Sequence, residues 1–340
     1  MSARRRLWWM ATALPAALLG GCEPESRTPA SLPPATRPVS APAGPVAFLA
    51  AVGHSHNADS AAAAGEATKQ ALTRSEAAGI RPAAAVFLGR AGAAGEVGGR
   101  IKELAGCPTF GQGGTGAGGL TVLLLAGEGL SVRGFAAGGE IDHDDADDPA
   151  KAVRVRRLRE ACAERGDALA RQLPKLTRPG VVLLLGAMEG DWLATFVTAF
   201  HKRLGTGVPV VAGAGTWGDR IYLDGRDVGT GQLAVVVQGD LRVAVEPLTP
   251  ADPWDAQAVA GEVEQAARKV HHRLGPARCG LVLAFHDTSF RVADATFDSV
   301  FGADVPAFRC GFLSQAGTDA QGKLSAGTAR LVLCGVAAGR

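Results

Sequence analysis

The chain has 340 residues, of which 47% are hydrophobic and 20% are charged, so it can bury a large core and has room for about two ordinary domains. Its formal net charge is +2, and loss of residues 1–21, which hold three arginines and no acid, would bring it to about −1. No strongly basic segment then remains to attract nucleic acid, and no later apolar run is long enough to span a bilayer.

The first 21 residues are predicted to be an export signal. Three consecutive arginines begin at Arg4, an apolar run extends from Leu7 to Leu19, and two glycines precede Cys22. A short apolar run that ends in small residues is typical of a secretory signal peptide and not of a membrane span. The Leu-Gly-Gly-Cys ending resembles a bacterial lipobox, which implies cleavage before Cys22 and lipid attachment to its thiol. The alternative is an ordinary cleaved signal.

Residues 22–45 contain a proline every few positions, with Ser, Thr and Ala between them. Such a segment buries little apolar surface and behaves as a semi-extended tether. We therefore expect a lipoprotein of the bacterial cell envelope, with a membrane anchor at Cys22 and a folded part that lies outside the cytoplasm.

Five cysteines follow Cys22. In an oxidising compartment an odd number leaves at least one thiol unpaired, and no pair has the spacing of metal ligands. Because Cys107, Cys310 and Cys334 fall in apolar strand contexts, we expect buried free thiols there.

After the tether, one order of elements occurs three times. The first copy is predicted to begin with an Ala-rich helix capped by Asp59 or Asn57. The second copy repeats landmarks of the first at one offset, since Arg178-Pro179 and Gly186 each lie 97 positions after Arg81-Pro82 and Gly89. The predicted elements of the first copy are a helix over 57–78, a strand over 85–89, a helix over 95–104, a strand over 107–110, a Gly-rich loop over 111–119, and strands over 120–125 and 130–133.

The second and third copies follow the same plan. The second has helices over 153–173 and 192–204, strands over 181–186 and 208–211, a loop over 212–219, a hairpin of 221–223 with 232–237 that turns at Asp224-Gly225, and a strand over 241–245. The third has a helix over 253–274 capped by Asp252, a strand over 281–285, a helix over 293–301, a strand over 305–308, a loop over 310–323 and a strand over 329–334.

These patterns predict an α/β fold of three helix-strand-helix-strand-hairpin units, whose mixed sheets form packed α/β layers. Buried strands joined by amphipathic helices are typical of parallel crossover connections. Two of the units lie in residues 46–248, and the third lies in residues 249–340.

Several short motifs resemble those of the FIST family, a bacterial sensory domain with an N-terminal and a C-terminal part. They are Gly53-His54-Ser55 followed by Asp59, the segment from Gly205 to Gly213 with Gly218-Asp219 beyond it, the segment from Gly231 to Val237, and the segment from Val305 to Phe312. The resemblance spans about residues 46–336. It makes 46–248 the FIST N-like region and 249–340 the FIST C-like region.

The resemblance implies a membrane-anchored module that binds a small molecule, such as an amino acid or a derivative of one. Signal transduction would then need a separate signalling protein, because we expect no output domain in the chain itself. The family usually carries a Gly-Glu pair after the second strand. Here those places read Gly113-Gly114, Gly218-Asp219 and Ala316-Gly317, so an acidic contact survives at most at Asp219.

Three Gly-rich loops are the predicted ligand-binding site, because ligands of open α/β sheets lie beyond the carboxyl ends of the strands. Glycines expose backbone N–H groups to a carboxylate or phosphate, Trp217 could cover a ligand, and Asp219 could hold an amine. The alternative is that the glycines serve only close packing and tight turns. The predicted ligand-binding residues are Ser55, Gln112, Gly113, Thr115, Gly213, Thr216, Trp217, Asp219, Ser314 and Gln315.

The His54-Ser55-His56 segment could supply metal ligands or an activated serine. A Gly-x-Ser-x-Gly elbow is absent because position 57 is Asn, so we predict a polar strand-to-helix loop in which Ser55 lines the pocket. We expect no cofactor, no metal and no catalytic residue. The alternatives are an envelope hydrolase or transferase that uses Ser55 or Cys310, and a structural lipoprotein that binds a protein partner.

Overall fold

Apolar strands and amphipathic helices alternate along the folded part of the chain. A computed structural model describes residues 48–77, 79, 81–89, 94–114, 119–139, 141, 151–188, 190–205, 207–215, 219–252, 255–287, 294–319, 321–326 and 331–339. The helices in this part are α1 (Ser60–Ala77), α2 (Ala94–Ala105), α3 (Lys151–Gln172), α4 (Asp191–Leu204), α5 (Ala256–Leu274) and α6 (Asp294–Phe301). The strands are β1 (Leu49–Ser55), β2 (Ala84–Gly89), β3 (Thr109–Gly113), β4 (Leu120–Ala126), β5 (Ser131–Gly138), β6 (Gly180–Gly186), β7 (Val210–Ala214), β8 (Arg220–Leu223), β9 (Arg226–Gln238), β10 (Leu241–Leu248), β11 (Cys279–Asp287), β12 (Ala307–Phe312), β13 (Ser314–Thr318), β14 (Leu324–Ala326) and β15 (Leu331–Ala338).

The fold is α/β with two mixed sheets, as the sequence predicts. The larger sheet has the order β1-β4-β2-β3-β8-β9-β6-β7-β13-β14, and β5 also pairs with β9. The smaller sheet has the order β10-β15-β11-β12. Both contain parallel and antiparallel neighbours, since β2, β6 and β11 each run parallel to the strand that follows the next helix.

One pairing pattern recurs three times. We call β1 to β4 unit one, β5 to β9 unit two and β10 to β15 unit three. In each unit the first strand lies antiparallel to the last, the last lies antiparallel to the second, and the second runs parallel to the third, which gives the orders β1-β4-β2-β3, β5-β9-β6-β7 and β10-β15-β11-β12. The predicted triplication is therefore present in the pairing itself.

The parallel pair of unit two shows why these residues form a crossover. All of β6 is buried, because one face lies on the central core and the other lies under helices. Helix α4 turns Leu193, Phe196, Val197 and Phe200 to the sheet, at the spacing of one helix face. The helix ends at Gly205, whose φ of 97° favours glycine and whose N–H donates to the His201 carbonyl at 2.9 Å.

The inner faces of both sheets pack together into one central core, which includes Leu183 of unit two and Phe285 and Phe308 of unit three. The outer face of each unit is covered by its own two helices: α1 and α2 in unit one, α3 and α4 in unit two, and α5 and α6 in unit three. These are the packed α/β layers that the sequence predicts.

Units two and three each insert a hairpin strand that pairs with the preceding unit. β8 of unit two pairs antiparallel with β3 of unit one, and β13 of unit three pairs antiparallel with β7 of unit two. In unit one, β3 and β4 are separated by only the six residues 114–119, which is too short for a comparable hairpin. In the described structure β12 accordingly ends the smaller sheet.

Three local expectations need correction. The strand pair expected to close the first copy is not a hairpin, because β5 pairs with β9 of the next unit and not with β4. Likewise β10, expected at the end of the second copy, pairs with β15 of the third. Helix α5 begins at Ala256, later than expected, and its cap is Asp255 in place of Asp252, since the Asp255 carboxylate accepts from the N–H groups of Gln257 and Ala258 at 2.9 and 3.0 Å.

The five described cysteines are free thiols. Cys107 and Cys334 are buried as expected, and so are Cys162 and Cys279, whereas Cys310 is only half-buried. The predicted export signal, the tether and Cys22 lie outside the described residues. Among the described residues, no helix is both long enough and apolar enough to cross a bilayer.

Candidate functional site

Three structurally equivalent positions lie near the ends of β3, β7 and β12. Each position comes four residues after a proline, and the carbonyl of that proline accepts a hydrogen bond from the neighbouring parallel strand. The N–H donors are Ala85 to Pro108 at 2.9 Å, Val182 to Pro209 at 2.9 Å and Val282 to Pro306 at 3.0 Å. The residues in these equivalent positions are Gln112, Gly213 and Cys310. Each lies where its unit meets the next, so they define a first junction (units one and two), a second (units two and three) and a third (units three and one).

The first junction is closed by a buried polar contact. The Gln112 side-chain nitrogen donates to the Asp219 carboxylate at 2.7 Å and to the Gly186 carbonyl at 3.1 Å. Gln112 is fully buried and Asp219 is only 1% exposed. Gly114 and Gly215 line this carboxylate so closely that a Cβ at either position would overlap it. Asp219, expected to hold a ligand amine, thus already accepts from a protein amide.

The second junction is closed by strand pairing and an aromatic ring. Gly213 pairs with Gln315 across β7 and β13, and a Cβ on Gly213 would lie 2.4 Å from the ring of Phe312. The Gln315 amide donates to the Phe312 carbonyl at 2.7 Å, and the Ser314 hydroxyl accepts from the Gly190 N–H at 2.5 Å. Gly213, Ser314 and Gln315 are buried, so they hold this junction together.

The third junction contains a cavity of about 120 Å³. It lies where β1 and β2 end, where β4 begins and where β12 approaches its end. Its lining is formed by His54, Ser55, His56, Leu88, Gly119, Leu120, Thr121, Arg309, Cys310 and Gly311. This position agrees with the rule that ligands of α/β sheets lie beyond the carboxyl ends of parallel strands.

The register of the larger sheet explains which side chains face the cavity. His54 lies opposite Thr121, Thr121 lies opposite Leu88, and Leu88 lies beside Gln112, so these four form one row across β1, β4, β2 and β3. Leu88 belongs to the central core, which places the row on the inner face of the sheet. His54 Nδ1 and Thr121 Oγ1 are 3.0 Å apart, a hydrogen bond that orients the imidazole.

Ser55, which alternates to the other face of β1, is held by α1. Its hydroxyl donates to Glu66 Oε2 at 2.5 Å and accepts from the Asn57 N–H at 3.1 Å. The Asn57 amide also donates to Glu66 Oε1 at 2.9 Å. The hydrogen bonds from Ser55 and then Asn57 lower the pKa of the Glu66 carboxyl. A carboxylate with a lowered pKa is a weak base, so this pair is poorly suited to activate the serine.

Three residues of the cavity lining have nitrogen-bearing side chains. His54, His56 and Arg309 line it, and its described lining contains no aspartate or glutamate. The half-buried thiol of Cys310 and the hydroxyl of Thr121 complete its polar surface. Within the described residues, no group of three or more His, Cys, Asp or Glu side chains is arranged to hold a metal ion.

A wider depression lies between β10 and the β13–β14 hairpin, with a volume of about 560 Å³. The edge strand β10 is shielded there, because Arg273 donates to the Val245 carbonyl at 2.9 Å and pairs with Glu246 at 2.8 Å. Pro247 lacks an N–H group that an added strand could use. The arrangement is that of a protected sheet edge, and the smaller cavity at the third junction is the better candidate site.

The structure distributes the predicted ligand residues over all three junctions. Gln112, Gly113 and Asp219 lie at the first, Gly213, Ser314 and Gln315 lie at the second, and Ser55 lines the cavity at the third. Neighbouring Gly-rich loops thus meet in pairs at the first and second junctions, and the described parts of all three do not line one shared pocket. Thr115, Thr216 and Trp217 lie outside the described residues.

Arg309 and Thr121 are cavity residues that the sequence motifs did not indicate. Arg309 is the single charged residue in the apolar strand from Ala307 to Phe312, and this isolated charge was a usable signal. Thr121 carried no local signal, because its role depends on the register between β1 and β4.

Comparisons with known proteins give little further guidance. No protein-family model matches the chain, and no curated protein matches it. Among solved structures, it is similar to the crystal structure of a cyanuric acid hydrolase from A. caulinodans, with 12% sequence identity and a TM-score of 0.39 over 86% of this chain and 99% of that chain. A likeness at this level establishes neither a shared fold nor a shared activity.

Proposed function

We propose that the protein is a small-molecule-binding module whose site is the cavity at the third junction. The observation that supports this most directly is that the three equivalent junctions differ in how they are filled. Two are filled by internal contacts, whereas the third keeps a cavity whose lining includes polar residues. A concave site with a few convergent polar groups is the usual form of a ligand site.

The wider biological role follows from the sequence. The lipobox-like segment at Cys22 supports attachment to a membrane of the cell envelope, and the resemblance to the FIST family supports a sensory role. In this proposal, ligand binding in the cavity is relayed to a separate signalling protein.

The test is a thermal-shift screen of the full chain, purified in detergent, against small metabolites of positive, neutral and negative charge. A ligand that binds only the folded state raises the melting temperature by an amount that grows with ln(1 + [L]/Kd). We expect at least one hit whose effect disappears in Cys310→Phe, because the ring would occupy the cavity. Val153→Phe, at an exposed position on α3, is the matched control.

The proposal fails if no compound shifts the melting temperature. It also fails if every shift persists in Cys310→Phe while that variant unfolds with the same cooperativity as the wild type. A ligand retained in this way would bind elsewhere on the molecule.

A second candidate function is a thiol-dependent hydrolase or transferase. It is favoured by one specific observation: Cys310 is the single described cysteine that is not buried, and it lines the same cavity as two histidines. In such an enzyme a histidine accepts the thiol proton and the thiolate attacks the carbonyl carbon of an ester or amide. The alcohol or amine leaves with that proton, and water or an acceptor then cleaves the thioester and restores the thiol. Ser55 is the weaker nucleophile because its hydroxyl is bound to Glu66.

Peptide mapping after brief iodoacetamide treatment tests this candidate, together with turnover assays on small esters and amides. Rapid labelling of Cys310, and turnover that is lost in Cys310→Ala, would support an enzyme. Slow labelling without turnover would leave the binding function as the better account.

A further inference from the structure

We infer that the outer edge of β5 is a docking site for a second copy of this chain, which pairs its own β5 there in the antiparallel direction about a two-fold axis. This inference goes beyond the proposed function, because it concerns a different surface and does not depend on ligand binding in the cavity. It starts from a difference between β1, β5 and β10, the first strands of the three units.

The register makes certain positions on these first strands equivalent. Each lies opposite a residue of the last strand that in turn lies opposite the same place on the second strand, at Val86, Leu183 or Leu283. These second-strand residues come directly after the N–H donors to the three prolines described above. The equivalent positions on the first strands are Val52, Gly134 and Val245. Two residues further along, the equivalent residues are His54, Ala136 and Pro247.

The outer edge of β1 is capped by side chains of α1. Arg74 donates to the Val52 carbonyl at 2.5 Å, and Gln70 Oε1 accepts from the His54 N–H at 3.1 Å. Main-chain groups at an uncovered sheet edge would instead bond to water or to an added strand. Most of β1 is buried, which agrees with an edge that another chain does not reach.

The outer edge of β10 is blocked at the same two positions by other means. Arg273 of α5 donates to the Val245 carbonyl at 2.9 Å. Pro247 has no N–H group, so an added strand would find no donor there. In units one and three, therefore, the carbonyl at the first position and the N–H at the second are both unavailable to a further strand.

The corresponding groups of β5 face away from β9. The Gly139 N–H donates to the Thr230 carbonyl at 3.1 Å, directly beyond the end of β5. Antiparallel bonds to one neighbour recur at every second residue, so Phe135 bonds to β9 whereas Gly134 and Ala136 point to the outer edge. In the part of the chain that the structure describes, β5 pairs with β9 alone.

Unit two lacks the protection that the other two units have. No hydrogen bond to the Gly134 carbonyl or from the Ala136 N–H is present in the described structure. Arg165 of α3 donates to the Gly139 carbonyl at 2.5 Å, beyond the end of the strand. Every residue of β5 is at least partly exposed, and β5 contains neither the proline nor the lysine that commonly keeps an edge strand from pairing.

A second copy of β5 is the partner that fits this edge, because an antiparallel edge is complementary to itself. About a two-fold axis through Phe135, the Gly134 carbonyl meets the Ala136 N–H of the second copy, and the reverse contact forms as well. Phe135 then lies opposite its own copy, which is a favourable aromatic pair. Arg133 lies opposite Ala137 of the second copy, so the two arginines do not oppose each other.

The test is sedimentation velocity of the full chain in density-matched detergent, at concentrations from roughly 1 to 100 μM. We expect a concentration-dependent dimer in the wild type. Ala136→Pro copies the residue of β10 at this position, and it should weaken dimerisation at least tenfold because each dimer loses two hydrogen bonds. Ala136→Ser is the matched control, because it keeps the N–H group, and it should dimerise as the wild type does.

Hydrogen exchange gives a second readout in the wild type alone, so it decides the question where Ala136→Pro folds poorly. Deuterium uptake by a peptide that spans β5 should slow as the protein concentration rises, because its outward N–H groups become hydrogen-bonded in the dimer. Uptake by a peptide that spans β10 should not depend on concentration, since that edge is shielded.

The inference is overturned if the wild type stays monomeric over this range, since the edge of β5 would then be left to water or to a segment of another protein. It is also overturned if folded Ala136→Pro dimerises as the wild type does, or if uptake across β5 is the same at every concentration. The proposed function survives all of these results, because the ligand screen with Cys310→Phe decides it separately.

Discussion

Gln112 joins two units of the fold through one amide nitrogen. That nitrogen lies 2.7 Å from the Asp219 carboxylate and 3.1 Å from the Gly186 carbonyl, and all three groups belong to the first junction. A buried hydrogen bond to a charged acceptor contributes more to stability than a bond to a neutral one. When its donor is removed, no water takes the donor's place. At the residue scale, the main role of Gln112 is therefore to stabilise the contact between units one and two.

We expect Gln112→Ala to lower the free energy of unfolding by about 1.5–3 kcal/mol, the range for removing a hydrogen bond to a charged group. Urea denaturation monitored by far-UV circular dichroism measures this change. Gln172→Ala, at an exposed position at the end of α3, is the control and should stay within about 0.5 kcal/mol of the wild type. A loss of ligand binding by Gln112→Ala at unchanged stability would instead assign Gln112 to a ligand site.

At the scale of elements, the packing of α3 against α4 depends on one small residue. A Cβ on Gly166 of α3 would lie 2.3 Å from the main-chain oxygen of Phe196 on α4. Backbone at such a distance cannot turn away as a flexible side chain can. The two helices lie this close because position 166 carries no side chain.

Gly166→Ala should therefore destabilise the protein by about 1–3 kcal/mol, the typical cost of overpacking a tight contact. Gly261→Ala on α5 is the matched control, because no atom lies within 4 Å of the place that the alanine methyl group would take, and alanine favours helix. It should stabilise the protein by about 0.5–1 kcal/mol. Thermal unfolding of both variants gives the answer, and two shifts of the same sign would contradict this description of the α3–α4 contact.

Local sequence patterns predicted most elements but not all of their partners. The run from Val181 to Gly186, the helix before Gly205 and the turn at Asp224-Gly225 all carry their signal within a few residues, and the structure has each of them. The partner of β5 lies about a hundred residues away, since Ser131 pairs with Gln238. No local pattern distinguishes that pairing from a simple hairpin with β4.

The candidate site was only partly predictable for the same reason. Ser55 was identified as part of a polar segment before the first helix, and it lines the cavity, although it is the last residue of β1 and does not lie in the expected loop. Arg309 and Thr121 reach the same cavity from different units, so their proximity depends on how units three and one meet. The glycines at the ends of β3 and β7 correctly indicated that another group approaches the backbone there. The approaching groups are the protein's own Asp219 and Phe312 side chains and not a ligand.

At the scale of the whole molecule, the buried thiols make the stability of the folded state depend on alkaline pH. Burial is the largest cause that raises the pKa of Cys107, Cys162 and Cys279 from 9.0 to about 11, and burial raises the pKa of Cys334 as well. These groups keep their protons in the folded state to a higher pH than in the unfolded chain. Their contribution to stability is thus complete below about pH 9 and is lost as pH rises through about 11.

We expect the free energy of unfolding to fall between pH 9 and pH 11, with urea midpoints measured at pH 8, 9.5 and 10.5. In a variant with Cys107, Cys162 and Cys279 all changed to alanine, the midpoint at pH 8 should be lower because small voids remain. Its decline with pH should nevertheless be shallower. Parallel declines in the two proteins would show that these thiols do not cause the alkaline loss.

Only six residues, 114–119, connect β3 to β4. In units two and three the equivalent connection is longer and contains an added strand. That strand, β8 or β13, pairs with the third strand of the preceding unit. A homologue with a connection long enough for such a hairpin would place an added strand against β12, and its third junction would be closed like the other two. The length of a single loop would then decide whether the third junction keeps its cavity, even where every lining residue is identical.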